Sequence, residues 1–361
     1  MRARIGAGHG APHTRFAGGS RQPRSGLVRL PDKTTHRGNT MRRSVLAVLS
    51  TALAAGATLA VPAQAATPTV ELQPDRLPRG ADIAIAHVAD GVLVDGARPT
   101  ELPGTEAELL GASGDAYVAS TWRTTAVGET RSRRIVRVEA DGSIRELLRP
   151  LEAYGTVLSE DGSRLLTTSG DRTSQVRVWS AVDGTEIASR TFRRYPEVVT
   201  ADGRRVLVRT VDRLQWWRVG RDSVRTLTRR LTGQASIEHD LLVTYTKDPY
   251  LGGCTRLARL SRPGTTVWRS CRDRVAAFSP DGTQVLTFHI LTDGLGPGEV
   301  RLRSLDGTLL ATYRTNWFSG WEWEAPSTLL LDVNGSRKYA VVRCTLDDCD
   351  NATDPVPVQA P

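Results

Sequence analysis

Turn-forming residues recur in this chain at intervals of about 40 residues. First turn signals are centred on Asp115, Asp161, Asp202, Asp240 and Asp281, and from Asp161 onward they are 41, 38 and 41 residues apart. A second turn signal follows each first one after 20 to 26 residues, at Asp141, Asp183, Asp222, Pro263 and Asp306. Two hairpins in each unit mean four strands in each unit, which is the period and the content of a propeller blade.

The segments between these turns have the composition of strands. Short alternating or β-branched runs, such as 205–209, 241–245 and 285–288, are bounded by Asp-Gly and Pro-Gly steps, and no helical periodicity of useful length follows residue 66. We therefore predict an all-β chain that folds as a β-propeller of four-stranded blades.

Six units begin near residues 107, 155, 197, 236, 275 and 321. Residues 82–103 add two more β-rich runs, which form either a short seventh blade or a strand pairing that closes a six-bladed ring. We predict seven blades, with six as the alternative.

The turn sequences also resemble a known family. The run from Phe278 to Gly282, Phe-Ser-Pro-Asp-Gly, is similar to the motif of the WD-repeat-like propellers found in TolB-type periplasmic proteins. Ser159-Glu160-Asp161-Gly162 keeps the Ser, Asp and Gly but has Glu in place of Pro, and 199–203 is a weaker copy. The resemblance implies the fold and leaves the function open. Trp179 is followed by Ser180 and not by Asp, so the hydrogen-bond network of true WD repeats is not expected.

The excess positive charge lies at the amino terminus. The whole sequence has 48 basic and 39 acidic residues, a formal charge of +9, but residues 66–361 contain 38 of each. Met41-Arg42-Arg43, an uncharged apolar stretch over 44–61 and the small residues Ala63 and Ala65 make the three parts of a secretory signal peptide. We predict a signal peptide at 41–65 with cleavage after Ala65, and hence a secreted protein. A transmembrane anchor is the alternative, and we expect no stable one.

The remaining boundaries follow from these assignments. Residues 1–40 are interpreted as a disordered extension or a mis-assigned start, 66–81 as an N-terminal linker, 82–354 as the propeller and 355–361 as a C-terminal tail. An exported chain with an even number of cysteines favours disulfides. Because each pair lies symmetrically about a turn, Cys254 is predicted to bond Cys271, and Cys344 to bond Cys349.

Catalytic and metal-binding patterns are weak. The chain lacks a Gly-x-Ser-x-Gly elbow and a sialidase Asp-box, and the three histidines after residue 65 have no close Cys/His spacing. Glu322 and Glu324 alternate on a candidate inner strand, where paired carboxylates would serve a glycoside hydrolase or lyase. We expect no cofactor and no metal, and we assign no catalytic residue.

Aromatic residues are concentrated at 313–323. They would form either an exposed platform for a glycan or peptide, or packing between blades where the ring closes. The candidate ligand-binding residues are Trp317, Phe318, Trp321 and Trp323. The arginine pairs at 193–194, 204–205 and 229–230 are interpreted as solvated faces, and export together with a neutral total after residue 65 disfavours nucleic acid. We predict a monomeric, non-catalytic scaffold for a protein or glycan ligand, with a secreted carbohydrate-active enzyme as the alternative.

Overall fold

The computed structural model describes residues 3–4, 67–125, 128–149, 155–170 and 173–358. Within these ranges the strands form seven sheets, each containing a blade of four antiparallel strands in chain order, and the sheet of blade 6 has a fifth strand that pairs in parallel. The predicted all-β propeller with seven four-stranded blades is confirmed, and the six-bladed alternative is wrong. The predicted signal peptide lies outside the described residues.

Blade 1 combines a distant amino-terminal strand with a compact hairpin region. Its sheet order is β1-β3-β4-β5, and β2 lies elsewhere, in parallel pairing with the last strand of blade 6. The first five strands are β1 (Ala3–Arg4), β2 (Thr69–Glu71), β3 (His87–Ala89), β4 (Val92–Asp95) and β5 (Arg98–Glu101).

Blades 2 to 4 are regular four-stranded meanders. Blade 2 contains β6 (Glu106–Ser113), β7 (Ala116–Thr124), β8 (Thr130–Val138) and β9 (Ile144–Leu148). Blade 3 contains β10 (Val157–Leu158), β11 (Arg164–Ser169), β12 (Thr173–Ser180) and β13 (Glu186–Arg193). Blade 4 contains β14 (Glu197–Ala201), β15 (Arg205–Thr210), β16 (Arg213–Arg218) and β17 (Ser223–Thr228), with a 3-10 turn at Val219–Arg221.

Blades 5 to 7 repeat this plan with longer connections. Blade 5 contains β18 (Leu231–Ser236), β19 (Leu241–Tyr245), β20 (Thr255–Arg259) and β21 (Thr266–Ser270), with a 3-10 turn at Pro249–Leu251. Blade 6 contains β22 (Asp273–Phe278), β23 (Gln284–His289), β24 (Glu299–Ser304) and β25 (Leu309–Arg314). Blade 7 contains β26 (Trp317–Ala325), β27 (Thr328–Asn334), β28 (Lys338–Thr345) and β29 (Asp348–Asn351), and β30 (Val356–Pro357) pairs with β28.

The core lies between neighbouring blades. Alternating residues of each strand face the blade before and the blade after, because successive side chains point to opposite sides of a sheet. Between blades 3 and 4, Phe192 packs edge-on against the fully buried Trp217, with ring centroids 6.0 Å apart. Burial of both faces explains the consecutive hydrophobic residues of second strands such as β15, β19 and β27.

The Asp-Gly turns need glycine for two reasons, one conformational and one steric. In blade 3 the Ser159 hydroxyl donates to Asp161 at 2.6 Å, and Gly162 has a φ of 67°. A Cβ on Gly162 would lie 2.3 Å from the Ala112 carbonyl oxygen of blade 2. The turn thus needs glycine both for its left-handed backbone and for its close approach to the preceding blade.

Both predicted disulfides are present. Cys254 bonds Cys271 across β20 and β21 of blade 5, and Cys344 bonds Cys349 across the β28–β29 hairpin. The described residues include no free cysteine.

Residues 67–86 pass from the edge of blade 6 across blade 7 to blade 1, and we call this segment the strap. Leu72 is fully buried in the core cluster shared by blades 6 and 7. The Asn351 side-chain amide donates to the carbonyl oxygens of Pro74 (2.8 Å) and Leu77 (3.0 Å). Most of the segment interpreted from sequence as a linker, 66–81, therefore lies along the edge of the propeller and joins its last two blades to its first.

Candidate functional site

The meander topology sorts the connections of the propeller onto two faces. Turns between the first and second and between the third and fourth strands of a blade lie at one end, which we call the turn face. Connections between the second and third strands, and between consecutive blades, lie at the opposite end, which we call the loop face. This follows from antiparallel pairing within every blade.

The two faces differ in charge. In blades 3 to 6 the described connections of the turn face contain nine acidic and three basic residues, because the repeated turn residue is aspartate. The described connections of the loop face contain five basic and three acidic residues. The basic residues are Arg194, Arg229, Arg230, Lys247 and Arg272. A neutral total therefore conceals a charge separation between the faces.

Two neighbouring loops on the loop face expose large apolar side chains. Tyr250 and Leu251 in the blade 5 loop are 62% and 71% exposed, and Leu295 in the blade 6 loop is 61% exposed. Leu291 is also exposed, and Trp317 is half-buried at the start of blade 7. We call these five residues the apolar patch. Exposed apolar residues that are contiguous and rimmed by polar groups are typical of interaction surfaces.

Hydrogen bonds and close contacts hold both loops in place. The Asp248 carboxylate accepts a hydrogen bond from the Tyr250 backbone N–H at 2.8 Å, and the Tyr250 hydroxyl donates to Asp293 in the blade 6 loop at 3.3 Å. Gly296 packs so closely that a Cβ there would lie 2.1 Å from the Phe318 carbonyl oxygen. The apolar patch is therefore built on ordered loops, which lowers the entropy cost of binding.

The four predicted aromatic residues occupy different environments. Trp317 lies on the loop face beside Gly296, whereas Phe318 is 1% exposed and Trp323 is 9% exposed in the core between blades 6 and 7. Trp321 is half-buried, and its ring centroid lies 5.6 Å from that of Phe288. Trp317 is therefore placed at the surface, while Phe318 and Trp323 pack inside the core.

Glu322 and Glu324 lie on the innermost strand of blade 7, in opposite electrostatic settings. Burial, reinforced by the charge of Asp332, raises the pKa of Glu322 to about 8. Burial also opposes the charged form of Glu324, but hydrogen bonds from Arg343 and the Ala84 N–H outweigh it and lower the pKa of that carboxyl. Glu324 therefore helps to close the ring, because its carboxylate binds both Arg343 of blade 7 and the Ala84 N–H of the strap.

Sequence reasoning missed the role of Glu160. Its carboxylate accepts hydrogen bonds from Thr200 in blade 4 and from Ser236 and the backbone N–H groups of Ile237 and Glu238 in blade 5. The available signal was the substitution of Glu for the proline that blade 6 has at Pro280. One turn residue of blade 3 therefore links three blades on the turn face.

No group of three or more His, Cys, Asp or Glu side chains within the described ranges is arranged to hold a metal ion. Across the same part of the chain, no helix combines the length and apolar character needed to cross a membrane.

No protein-family model and no curated protein matches this chain. Solved structures with a similar fold include a chain of the mitotic checkpoint complex, at 12% identity and a TM-score of 0.49, covering 67% of this chain and 78% of that one. The uncharacterized protein lmo1340 from Listeria monocytogenes EGD-e has 13% identity and a TM-score of 0.46, with 70% and 83% covered. The β-propeller domain of Cps50 (Swd1) from Myceliophteria thermophila has 12% identity and a TM-score of 0.45, with 69% and 90% covered. The fold assignment depends on the sheet topology, and these similarities assign no function.

Proposed function

We propose that this protein is a secreted, non-catalytic interaction scaffold that docks a partner protein on its loop face. The observation behind this proposal is the apolar patch, whose exposed residues come from two ordered loops on the same face. Aromatic and leucine side chains held in fixed positions provide contact area at low entropic cost.

The charge of the loop face favours a partner with an acidic rim. Lys247 lies in the blade 5 loop that carries Tyr250 and Leu251, and Arg229, Arg230 and Arg272 lie on the same face in the connections before and after blade 5. Complementary charges around an apolar centre increase association rates and exclude partners of the wrong sign. A glycan that stacks on Tyr250 and Trp317 would be a second kind of ligand, and it would not require the acidic rim.

Export is part of the proposal. The signal-peptide pattern at 41–65, with cleavage after Ala65, the two disulfides and the resemblance to TolB-type propellers support a secreted protein without a membrane anchor. Cleavage there would remove β1 and leave blade 1 with β3, β4 and β5. We propose that the secreted form is a monomer. Disulfides persist in oxidising compartments.

The absence of an assigned catalytic residue also belongs to the proposal. The hydrolase or lyase alternative needs two carboxylates that are free to act, but Glu324 is engaged by Arg343 and Ala84. Glu322 is the one member of the pair with a pKa suited to a general acid.

The decisive experiment compares partner capture by three forms of the purified, oxidised protein. These are the wild type, the double variant Leu251→Ser/Leu295→Ser, and the control Val182→Ser, which replaces an exposed apolar residue on the turn face. A protein retained by the wild type and the control but lost with the double variant, with tighter binding at low salt, is the expected result. Equal retention by all three forms contradicts docking at the patch. Hydrolysis of a glycan panel that disappears in Glu322→Gln would support the enzymatic alternative instead.

A further inference from the structure

We propose that a cleft between blades 3 and 4 binds a small sugar ester that carries a phosphate or sulfate group. The site is separate from the apolar patch and does not depend on its function. The cleft has a volume of about 270 Å³, formed by the last strand of blade 3, the turn at Thr210–Arg213 and the last strand of blade 4.

The lining of the cleft has a strong excess of positive charge. Four arginines contribute to it, and Asp212 is the one acidic residue among its lining residues. The four are Arg190, Arg193, Arg194 and Arg213. The sequence analysis interpreted the 193–194 pair as a solvated face, whereas the fold brings both arginines into the lining of one cleft with Arg190 and Arg213.

The arginines of the cleft outnumber the carboxylates that pair with them. Asp212 is shared, since it accepts hydrogen bonds from both Arg194 (3.0 Å) and Arg213 (2.7 Å). Arg190 reaches outside the cleft to Asp222, with whose carboxylate it forms an ion pair and to whose carbonyl oxygen it donates at 2.7 Å. Within the part of the chain that the structure describes, Arg193 has neither an ion pair nor a side-chain hydrogen bond. An arginine without an acidic partner, lining the same cleft as two that share one, is suited to an incoming oxyanion.

The backbone at the rim of the cleft is held in an unusual conformation. Arg194 and Tyr195 have φ values of 68° and 54°, and nowhere else in the described residues do two consecutive non-glycine residues have positive φ. Such a conformation costs on the order of 1–3 kcal/mol for each residue. A hydrogen bond from the Val211 N–H to the Arg194 carbonyl oxygen, at 3.1 Å, ties this turn to the opposite wall.

Tyr195 directly follows the lining residue Arg194 in this turn. The Tyr195 side chain is 60% exposed, and Val211 beside the same turn is 61% exposed. An exposed aromatic ring next to a cationic cleft supplies a flat apolar surface for the C–H face of a sugar, while the arginines bind the ester group. The volume of the cleft is just below the 300–1,000 Å³ usual for drug-sized ligands, which suits a monosaccharide ester.

The test is calorimetric titration of the intact protein at low ionic strength with four probes: glucose 6-phosphate, glucose 6-sulfate, inorganic phosphate and glucose. We expect saturable binding of both esters, weaker binding of inorganic phosphate and no binding of glucose. Arg193→Gln, which breaks no ion pair, should weaken ester binding at least tenfold. The control Arg262→Gln, an exposed arginine on the turn face of blade 5, should leave the affinity unchanged.

Tyr195→Ala tests recognition of the sugar separately from recognition of the ester group. It should weaken binding of the esters but not of inorganic phosphate. Saturable ester binding that Arg193→Gln leaves unchanged, or no saturable binding of any probe, would overturn the proposal. Equal affinity of wild type for inorganic phosphate and for both esters would overturn the assignment of a sugar ester.

Discussion

The carboxylate of Glu160 in blade 3 accepts a hydrogen bond from the backbone N–H of Ile237, just after the first strand of blade 5, at 2.9 Å. Blade 4 is linked by the same carboxylate through Thr200, and the Glu160 N–H donates to the Ala201 carbonyl oxygen at 2.9 Å. In blade 6 the corresponding position is Pro280, which has no side-chain acceptor. Glu160 therefore acts as a cross-brace on the turn face.

Glu160→Gln should lower the free energy of unfolding by about 1 kcal/mol, because an amide offers one acceptor oxygen where the carboxylate offers two charged ones. The value is modest since Glu160 is exposed. Urea unfolding with the disulfides intact measures it. Glu238→Gln is the matched control, as it changes an exposed neighbour without removing an acceptor from this set. A loss no larger than the control's would contradict the cross-brace.

Protonation of Glu322 should make stability depend on pH above the acid range. The folded-state pKa is raised to about 8 from an ordinary value of 4.5, so the folded protein binds more protons than the unfolded chain between those values. Stability should then fall as pH rises from about 5 to 8, by on the order of 2 kcal/mol. Melting temperatures across this range should decline in the wild type and be flatter in Glu322→Gln. Identical slopes in the two proteins would show that Glu322 titrates normally.

Breaking the ion pair between Glu324 and Arg343 should weaken the contacts between the strap and blade 7 and lower the free energy of unfolding. Arg343 also donates to the Ala81 and Asp82 carbonyl oxygens of the strap, at 2.9 and 2.8 Å, and both partners are well buried. Arg343→Gln should cost about 3–5 kcal/mol, because it leaves a buried carboxylate without its cation.

Hydrogen exchange of residues 81–85 and urea unfolding measure this loss. The control Arg337→Gln removes an exposed strap ion pair with Asp75 and should cost under about 1 kcal/mol. The pKa of Glu324 is lowered, so its contribution is present at neutral pH and is lost as pH falls through the lowered pKa. Equal effects of the two substitutions would contradict the special position of Arg343.

The two disulfides should differ in their contributions to stability. Cys254 and Cys271 are 17 residues apart, whereas Cys344 and Cys349 are 5 apart. The loop-entropy relation gives about 3 kcal/mol for the longer loop and about 2 kcal/mol for the shorter one. Unfolding of the paired Cys→Ser double variants tests this order. A larger loss from the 344–349 pair would point to folded-state interactions as the dominant cause.

Local signals were sufficient to predict the blades. Asp161-Gly162 and Asp281-Gly282 encode a left-handed glycine and an aspartate that accepts hydrogen bonds from its own turn, and both features are set within five residues. The symmetric cysteine spacing was equally local. These are the parts of the fold for which neighbouring residues determine the geometry.

The strap could not be predicted in this way. Leu72 is buried against residues of blades 6 and 7, and Asn351 donates to Pro74 across 277 positions of sequence. No alternation or turn motif marks such partners. The same reason explains the aromatic cluster, where the β26 register places Phe318 in the core and leaves Trp317 at the loop face.

The distribution of charge between the two faces could not be predicted from the net charge of the sequence. Equal numbers of acidic and basic residues after position 65 gave no indication of a partner. In blades 3 to 6 aspartates recur in the turns at one end, while arginines such as Arg194 and Arg230 lie in connections at the other end, so the fold separates charges that are intermixed in the sequence.

The strap also sets the order of events when the chain folds. Its residues precede most of the propeller in synthesis, yet their partners, Asn351 and Arg343 among them, lie near the other end. A chain that emerges amino terminus first must hold residues 67–86 unpaired until nearly all of it has been made. We therefore expect ring closure to be a late assembly step, since contacts so distant in sequence form only after the intervening chain is ordered. During that interval Leu72 and the open edge of blade 6 are exposed together, and this pair of surfaces is where premature association with another copy would begin.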